Sequence, residues 1–359
     1  MAADSGEQHG SGVQTHRVRS KDGARFLEGF DSYTYTDFGK KWQFVGTATN
    51  SNQLTTGRYG GQCYVTAAYS GVQTFSRTFD NKATWVVGCA IKMTQAIGSQ
   101  PLIYWYDTAN TGAAQVSLWL NNNIVQVNRQ SSTLLGISSR QIAMNSWTYV
   151  EWKVTIDGTT GSFEVRVNGD TYISASGVNT RGQTTNNWAN MITFPVNYNY
   201  LLIDDIYVVD TTGSINNDFL GDIRVATLLP SGAGSNTTWT PSTGANYACV
   251  DETLINNDTD YVSTTVVGNI DTYAYADLPA NTTAVKGVQT NLGIRKDDAG
   301  YRQACAVVRS GGTNYPATAV GLSDSYVYQS DMWETDPATG VAWTPTGVNN
   351  MEAGAKVTA

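Results

Sequence analysis

The stretch Leu201–Asp210, LLIDDIYVVD, has the highest density of strand-forming residues in the chain. It is followed at once by a cluster of turn formers, TTGSINND, at Thr211–Asp218. A long series of strand-like segments leads into this stretch, and the spacing of such segments changes after it. We therefore interpret it as the closing strand of a first domain and the start of a connection to a second.

The segments before this stretch predict an all-β first domain. Residues 147–156 alternate apolar and polar side chains, which is the period of a strand with one buried and one solvated face. The dipeptide Asn168-Gly169 follows a second alternating segment, Phe163–Val167, and is a strong hairpin signal. No stretch of comparable length has the 3.6-residue period of a helix. Many short strands of this kind predict a two-sheet sandwich.

Three parts of the chain follow from this pattern. Residues 1–25 are polar and irregular, and they are either a native arm or a disordered leader. Residues 26–212 form the predicted sandwich, and residues 213–359 form a second, smaller β-rich and sandwich-like assembly domain, with a loop at Ser231–Asn236. The irregular segment is predicted to dock onto an acidic partner surface through its cations, namely Arg17, Arg19, Lys21 and Arg25.

Composition excludes several classes of partner. The net charge of −8 over 359 residues repels phosphate backbones, so no nucleic-acid partner is expected. No apolar run is long enough for a membrane span. The four cysteines, Cys63, Cys89, Cys249 and Cys305, are far apart and are interpreted as small buried hydrophobes, with a disulfide such as Cys63–Cys89 left as the alternative.

The segments Trp147–Trp152, Phe163–Gly169 and Ile203–Val208, in this order, resemble a concanavalin A-like, laminin G-type jelly-roll module. This resemblance covers residues 26–212 and implies a jelly-roll sandwich.

The layout of nearly the whole chain also resembles structural proteins of tailed bacteriophages, on the residues Asp204–Val208, Thr211–Ser214, Asn216–Asp222 and Asp336–Thr344. This second resemblance implies a virion component: a capsid decoration, a head fibre or a tail component, assembled in the host cytoplasm. It also implies contacts with other virion proteins and a closed homo-oligomer, with a trimer favoured. The scarcity of lysine after Gly221 supports covered strand edges in that region.

The residues predict no catalytic site. Asp204 and Asp205 are neighbours on a strand, so they are expected to point to opposite faces, to be structural and not to form the carboxyl pair of a glycosidase. Glu151 and Glu164 are expected to face solvent and to pair with cations on the neighbouring strand. Both histidines lie within residues 1–25, far from any candidate nucleophile. The sequence therefore predicts a non-enzymatic structural protein.

Two ligand classes remain open. Laminin G-type modules often hold calcium, but we predict no resident cofactor, although acidic residues at loops and strand ends could supply oxygen ligands: Asp31, Asp80, Asp107, Asp157 and Asp170. The alternative function is a glycan-binding adhesin, because aromatic rings stack on sugar faces and amides bind hydroxyls. Its candidate residues, each of which could instead pack in a core, are Tyr104, Trp105, Tyr106, Trp188, Tyr198 and Tyr200.

Overall fold

The structure is a computed structural model that describes residues 23–34, 37–45, 54–65, 74–107, 114–195 and 200–359. The first fifteen strands, up to Asp210, and one short helix are β1 Ala24–Glu28, α1 Phe38–Lys41, β2 Gln43–Val45, β3 Leu54–Thr56, β4 Gln62–Val65, β5 Thr74–Lys82, β6 Thr84–Met93, β7 Gln100–Tyr106, β8 Val116–Asn121, β9 Ile124–Arg129, β10 Thr133–Gln141, β11 Thr148–Thr155, β12 Gly161–Val167, β13 Asp170–Val178, β14 Ala189–Pro195 and β15 Leu201–Asp210.

These strands form two antiparallel sheets. The seven-stranded sheet, here called the front sheet, has the order β10-β9-β8-β7-β14-β5-β2. The eight-stranded sheet, here called the back sheet, has the order β13-β12-β11-β6-β15-β4-β3, with β1 also paired to β15. The apolar rows of the two sheets pack against each other in one core, where the rings of Trp85 and Trp105 stack at 4.7 Å. The predicted all-β jelly-roll sandwich is confirmed.

The stretch LLIDDIYVVD is β15, as predicted, and it lies in the interior of the back sheet between β6 and β4. Its alternation is interrupted by a bulge between Asp204 and Tyr207, where Asp205 has a φ of +48°. As a result Ile203 and Ile206 are both fully buried in the core, although they are three residues apart. The bulge therefore changes which side chains leave the core, and this matters for the two aspartates between these isoleucines.

The remainder of the chain forms further short elements: β16 Pro230–Thr237, β17 Thr240–Pro241, a 3₁₀ turn Asn246–Cys249, β18 Val262–Ser263, β19 Ile270–Tyr275, β20 Val288–Ile294, β21 Gln303–Ser310, β22 Thr313–Pro316, β23 Val320–Gly321, β24 Val327–Trp333, α2 Pro345–Asn349 and β25 Glu352–Val357. A six-stranded sheet has the order β16-β19-β25-β21-β22, with β23 on β21. The strand β16 contains Ser231–Asn236, so the predicted loop there is wrong. Its small side chains give little strand signal, but its backbone pairs with β19.

The second region is not separate from the sandwich. The two-stranded sheet of β20 and β24 lies against β1, where Gln289 accepts from Leu27 N at 2.9 Å and donates to Leu27 O at 2.9 Å. Tyr328 donates to Ser32 O at 2.9 Å and belongs, with Met332, to the sandwich core. The division of the chain into domains at residue 213 therefore stays a prediction.

All four cysteines are free and buried, in agreement with their interpretation as small hydrophobes rather than disulfides. Cys63 donates to Thr56 O, and Cys249 donates to Thr243 O. No helix among the described residues is both long and apolar enough to cross a membrane.

Candidate functional site

The outward face of the front sheet carries aromatic rings. In β7 the ring of Trp105 points into the core, so Tyr104 and Tyr106 point out of it. In β8 the flanking Leu118 and Leu120 are buried in the core, so Trp119 also points outward. The three rings are half-buried rather than covered. Aromatic side chains on the outer side of a sheet serve no core, which makes this face the candidate site.

These three residues, here called the ring platform, lie on two adjacent strands. The centroids of Tyr104 and Tyr106 are 5.7 Å apart. The ring of Trp119 stands edge-on to Tyr104 at 6.4 Å, with an interplanar angle of 87°. Burial raises the pKa of Tyr106 above its usual value, so its hydroxyl stays protonated at neutral pH. The platform therefore presents apolar ring surface together with hydroxyl and indole donors.

Polar side chains fill the rows on either side of the rings. Trp119 Nε1 donates to Ser117 Oγ at 2.8 Å, and Ser117 in turn donates to the carbonyl of Gln130. On β9, Gln126 accepts from Asn121 Nδ2 at 3.1 Å and donates to Asn128 Oδ1 at 2.7 Å. These bonds hold the amides and hydroxyls in place beside the rings, because each group is oriented by its neighbour.

The same polar row continues on the other side of β7. Thr193 of β14 is paired with Tyr104 of β7. Its hydroxyl is 2.9 Å from the hydroxyl of Ser76 on β5. Thr78 donates to Gln43 Oε1 at 3.2 Å. The face is thus a continuous band of rings, amides and hydroxyls.

The predicted carbohydrate-binding residues divide into three groups. Tyr104 and Tyr106 lie on the ring platform, whereas Trp105 is wrong because strand alternation places it in the core against Trp85. In the described part of the chain, no ring contact joins Trp188 or Tyr200 to the platform. Gln115 Nε2 donates to Trp188 O at 3.1 Å. Tyr200 is 41% exposed and directly precedes β15. Tyr198 lies outside the described residues.

Sequence reasoning missed Trp119, Gln126 and Asn128. The signal for Trp119 was present in the alternation of Val116–Asn121, where it shares the polar row with Ser117 and Asn121. An aromatic residue on the polar row of an amphipathic strand is the pattern that would have identified it. Gln126 and Asn128 join the site through the pairing of β9 with β8.

Arg25 is not available for the predicted docking onto a partner surface. Arg25 lies in β1 and is buried, and its guanidinium pairs with Asp210 of the neighbouring strand, with Nε donating at 2.9 Å. A buried ion pair of this kind holds the strand in place and cannot contact a partner surface. Arg17, Arg19 and Lys21 lie outside the described residues.

The acidic residues considered for calcium are held in separate places. Asp31 accepts from Gln62 N at 2.6 Å, Asp157 accepts from Thr159 N and Thr160 N, and Asp170 pairs with Arg140 at 3.0 Å. Asp80 lies 3.9 Å from Arg25, and Asp107 accepts from Asn186 Nδ2 at 3.2 Å. Across the described ranges there is no group of three or more His, Cys, Asp or Glu side chains that could hold a metal ion.

Asp204 and Asp205 do not point to opposite faces, so that prediction is wrong. The bulge in β15 turns both away from the core, where Asp204 accepts from Arg58 N at 2.8 Å and Asp205 accepts from Val225 N at 2.7 Å. The side chain of Arg58 approaches Asp205 at 3.6 Å. Burial, and then the charge of Asp205, raises the pKa of Asp204 to about 7, and burial raises the pKa of Asp205 to about 6.

Glu151 also differs from its predicted place. Glu151 lies opposite Arg166 and Glu164 lies opposite Lys153, but the expected pairing across the strands is wrong for Glu164, which pairs with Arg166 of its own strand at 2.8 Å. Glu151 is nevertheless buried, since the segment after β15 covers it: its carboxylate accepts from Gly221 N at 2.8 Å and from Tyr207 Oη. The outer side of the back sheet is therefore partly covered, whereas the front sheet carries the rings.

A large hollow lies elsewhere in the described residues. It has a volume of about 1580 Å³ and lies between the extended segment 220–230 and residues 278–298. Some of the charged groups around it are paired, as Arg295 is with Asp258 at 2.9 Å. We place the candidate site on the front sheet, because half-buried rings with oriented polar partners form a specific recognition surface.

No family model matches the chain, and no curated protein matches it. Among solved structures, an endo-β-1,4-glucuronan lyase from the fungus Trichoderma reesei is 12% identical, with a TM-score of 0.37, over 51% of this chain and 94% of that one. An alginate lyase is 11% identical, with a TM-score of 0.37, over 52% and 97%. Domain 4 of an extracellular arabinanase from Geobacillus stearothermophilus, solved with arabinotriose, is 15% identical, with a TM-score of 0.34, over 53% and 94%.

These structures contradict two predictions made from the sequence. The predicted function, a non-enzymatic bacteriophage virion structural protein, is wrong, since the matched proteins named above are lyases and an arabinanase domain and none is a virion component. The prediction that the chain is not an enzyme is contradicted by the two lyases. That prediction relied on Asp204 and Asp205 pointing to opposite faces of the strand, whereas the bulge places both on one side of β15. The chain is a β-sandwich protein of the jelly-roll type.

Proposed function

We propose that the outward face of the front sheet binds a polysaccharide chain. The single observation that carries the proposal is the ring platform: three half-buried aromatic side chains on the face of the sheet that does not pack in the core. The apolar faces of sugar rings stack on aromatic rings, and the surrounding hydroxyls require hydrogen-bonding partners. The half-buried amides of Asn121 and Gln126 supply those partners, whereas Ser117 and Asn128 are buried.

The dimensions of the face suit an extended ligand. Neighbouring strands lie about 4.8 Å apart, so the four strands β14, β7, β8 and β9 span roughly 14 Å. The polar rows of Thr193 and Ser117 lie on either side of the ring of Tyr104. A chain laid across these strands would contact rings and polar groups in turn along its length.

Trp119 is the side chain that tests the proposal. Truncation of a central Trp in a binding surface costs about 2 kcal/mol, which is roughly a thirtyfold loss of affinity. We expect Trp119→Ala to weaken binding by this factor in a calorimetric titration against a panel of soluble polysaccharides. The same mixtures, assayed for new reducing ends, show whether the bound chain is cleaved.

The matched control is Tyr301→Ala, which removes a ring that is 69% exposed and lies in the second region. This variant should bind like the unmodified protein. Equal losses in both variants, with both folded by circular dichroism, would refute binding at the front face, as would unchanged affinity in Trp119→Ala.

A further inference from the structure

We infer that the ligand of the front face is a neutral glycan and not a polymer of uronic acids. This inference rests on the proposed function and names the substrate class of the same site. Its basis is the charge of the face. The described residues that the register places on the outward rows beside the platform are uncharged, among them Thr78, Met191, Thr193, Ser117, Gln126 and Asn128. The charged Asp80 and Lys82 lie at the end of β5, where the register with β14 is irregular.

The segments that adjoin this sheet in the sequence are uncharged too. Residues 46–53 follow β2, residues 66–73 precede β5, residues 108–113 join β7 to β8, and residues 196–199 follow β14. They read GTATNSNQ, TAAYSGVQ, TANTGA and VNYN, without one Asp, Glu, Lys or Arg.

The cations on the same strands are directed elsewhere. Arg77 of β5 is buried, donates to Lys41 O at 2.6 Å and lies 4.1 Å from the centroid of the Phe26 ring. Arg129 of β9 shares the inward row of Val127, opposite Val116. Arg140 of β10 pairs with Asp170 of the back sheet. Lys82 at the end of β5 lies 3.1 Å from Asp210 of the back sheet. Each described arginine and lysine of these strands is therefore directed away from the platform.

In the described part of the chain, the carboxylate that adjoins the platform has the wrong sign to pair with a uronate. Asp107 directly follows Tyr106, is buried, and accepts hydrogen bonds from Thr184 and Asn186 through one carboxylate oxygen. Its other oxygen, Oδ1, has no hydrogen-bond partner. The chain as a whole has a net charge of −8.

A carboxylate that leaves water needs a charged or strongly donating partner, and arginine forks are the usual ones. A uronate on this face would lose its hydration without gaining such a partner, and it would be repelled by the protein's overall charge. A neutral sugar carries hydroxyls in place of the carboxylate, and the amides and hydroxyls of the face satisfy them.

The experiment compares polymers that differ only in their carboxyl groups. Oligosaccharides of alginate, polygalacturonate and polyglucuronate are each titrated beside the same oligosaccharide after carboxyl reduction, at low salt, with neutral arabinan and glucan oligosaccharides alongside. We expect at least one neutral ligand to bind, and every carboxylate-bearing partner to bind at least about tenfold more weakly.

A cation placed on the face should reverse this selectivity. Gln126→Lys is expected to gain at least about tenfold in affinity for the acidic member of a pair, because the new ammonium group supplies the missing partner. Val341→Lys, at a position 62% exposed in the second region, adds the same charge away from the face and should not.

The outcomes separate the two claims. Binding of the acidic members that equals or exceeds binding of their reduced forms, and that depends on Trp119, would overturn the neutral-glycan inference and leave the proposed function intact. Binding of no member of any pair and of neither the arabinan nor the glucan oligosaccharides would overturn the proposed function, and this inference with it.

Discussion

Asp205 offers a direct test of how the bulge in β15 is stabilised. The change is Asp205→Asn, which keeps an acceptor for Val225 N and removes the charge. In the native protein the other carboxylate oxygen is buried without a hydrogen bond, and the nearest cation, Arg58, lies 3.6 Å away. Burial raises the pKa of this carboxyl from 3.8 to about 6. The folded protein therefore binds the proton more tightly than the unfolded chain does.

The sign and size of the effect follow from that difference. Because the pKa is raised on folding, its contribution to stability is fully present below pH 3.8 and is lost as the pH rises through about 6. The gap between these two values corresponds to roughly 3 kcal/mol in the free energy of unfolding. We expect Asp205→Asn to be more stable than the unmodified protein at pH 8 by up to that amount and equally stable near pH 3.8.

The assay is urea denaturation followed by tryptophan fluorescence at several pH values from 3.5 to 8. Asp170→Asn is the matched control, since it removes an exposed carboxylate that pairs with Arg140 on the surface, and it should leave the pH dependence unchanged. A variant at Asp205 that is less stable at pH 8 would refute the reasoning, because attraction to Arg58 would then outweigh the cost of burial.

Three further predictions concern the fold. Trp105→Ala should lower the free energy of unfolding by about 4 kcal/mol and Tyr106→Ala by about 1 kcal/mol, because only the first ring fills the core; similar values in chemical denaturation would contradict the assigned faces of β7. Glu151→Ala should cost about 3 kcal/mol by the same assay, since it leaves two buried donors without an acceptor; a cost below 0.5 kcal/mol would show that the carboxylate is exposed. Limited proteolysis should cut first at the exposed Thr211–Ser214 and spare β16, which is paired in a sheet; early cleavage in β16 would contradict that pairing.

Alternation along a strand was sufficient to predict much of the sandwich. It identified β11, β12 and β15 and placed Glu151 opposite Arg166 in the register that the structure shows. Local spacing carries this information because side chains alternate between the two faces of any regular strand. The same rule, applied to β7, distinguishes Tyr104 and Tyr106 from Trp105.

The errors arise where distant chain segments decide the outcome. The bulge at Asp205 depends on how β15 pairs with β6, and no residue pattern within β15 predicts it. Glu151 is on the polar row, as expected, but residues 219–221 return to cover it. The front face was incompletely predicted for a related reason. Its rings come from β7 and β8, and they become neighbours only because these two strands pair in the register that the structure shows. Prediction of the site would have required the pairing of strands as well as their periodicity.

The proposed function is tested most directly by a crystal structure of the protein soaked with a neutral oligosaccharide that binds in titration. We predict that sugar rings lie face-on to Trp119 and Tyr104 at van der Waals distance, about 4 Å, with hydroxyls hydrogen-bonded to Asn121 and Gln126. An oligosaccharide bound at another surface, with the front face empty at saturating concentration, would contradict the proposal.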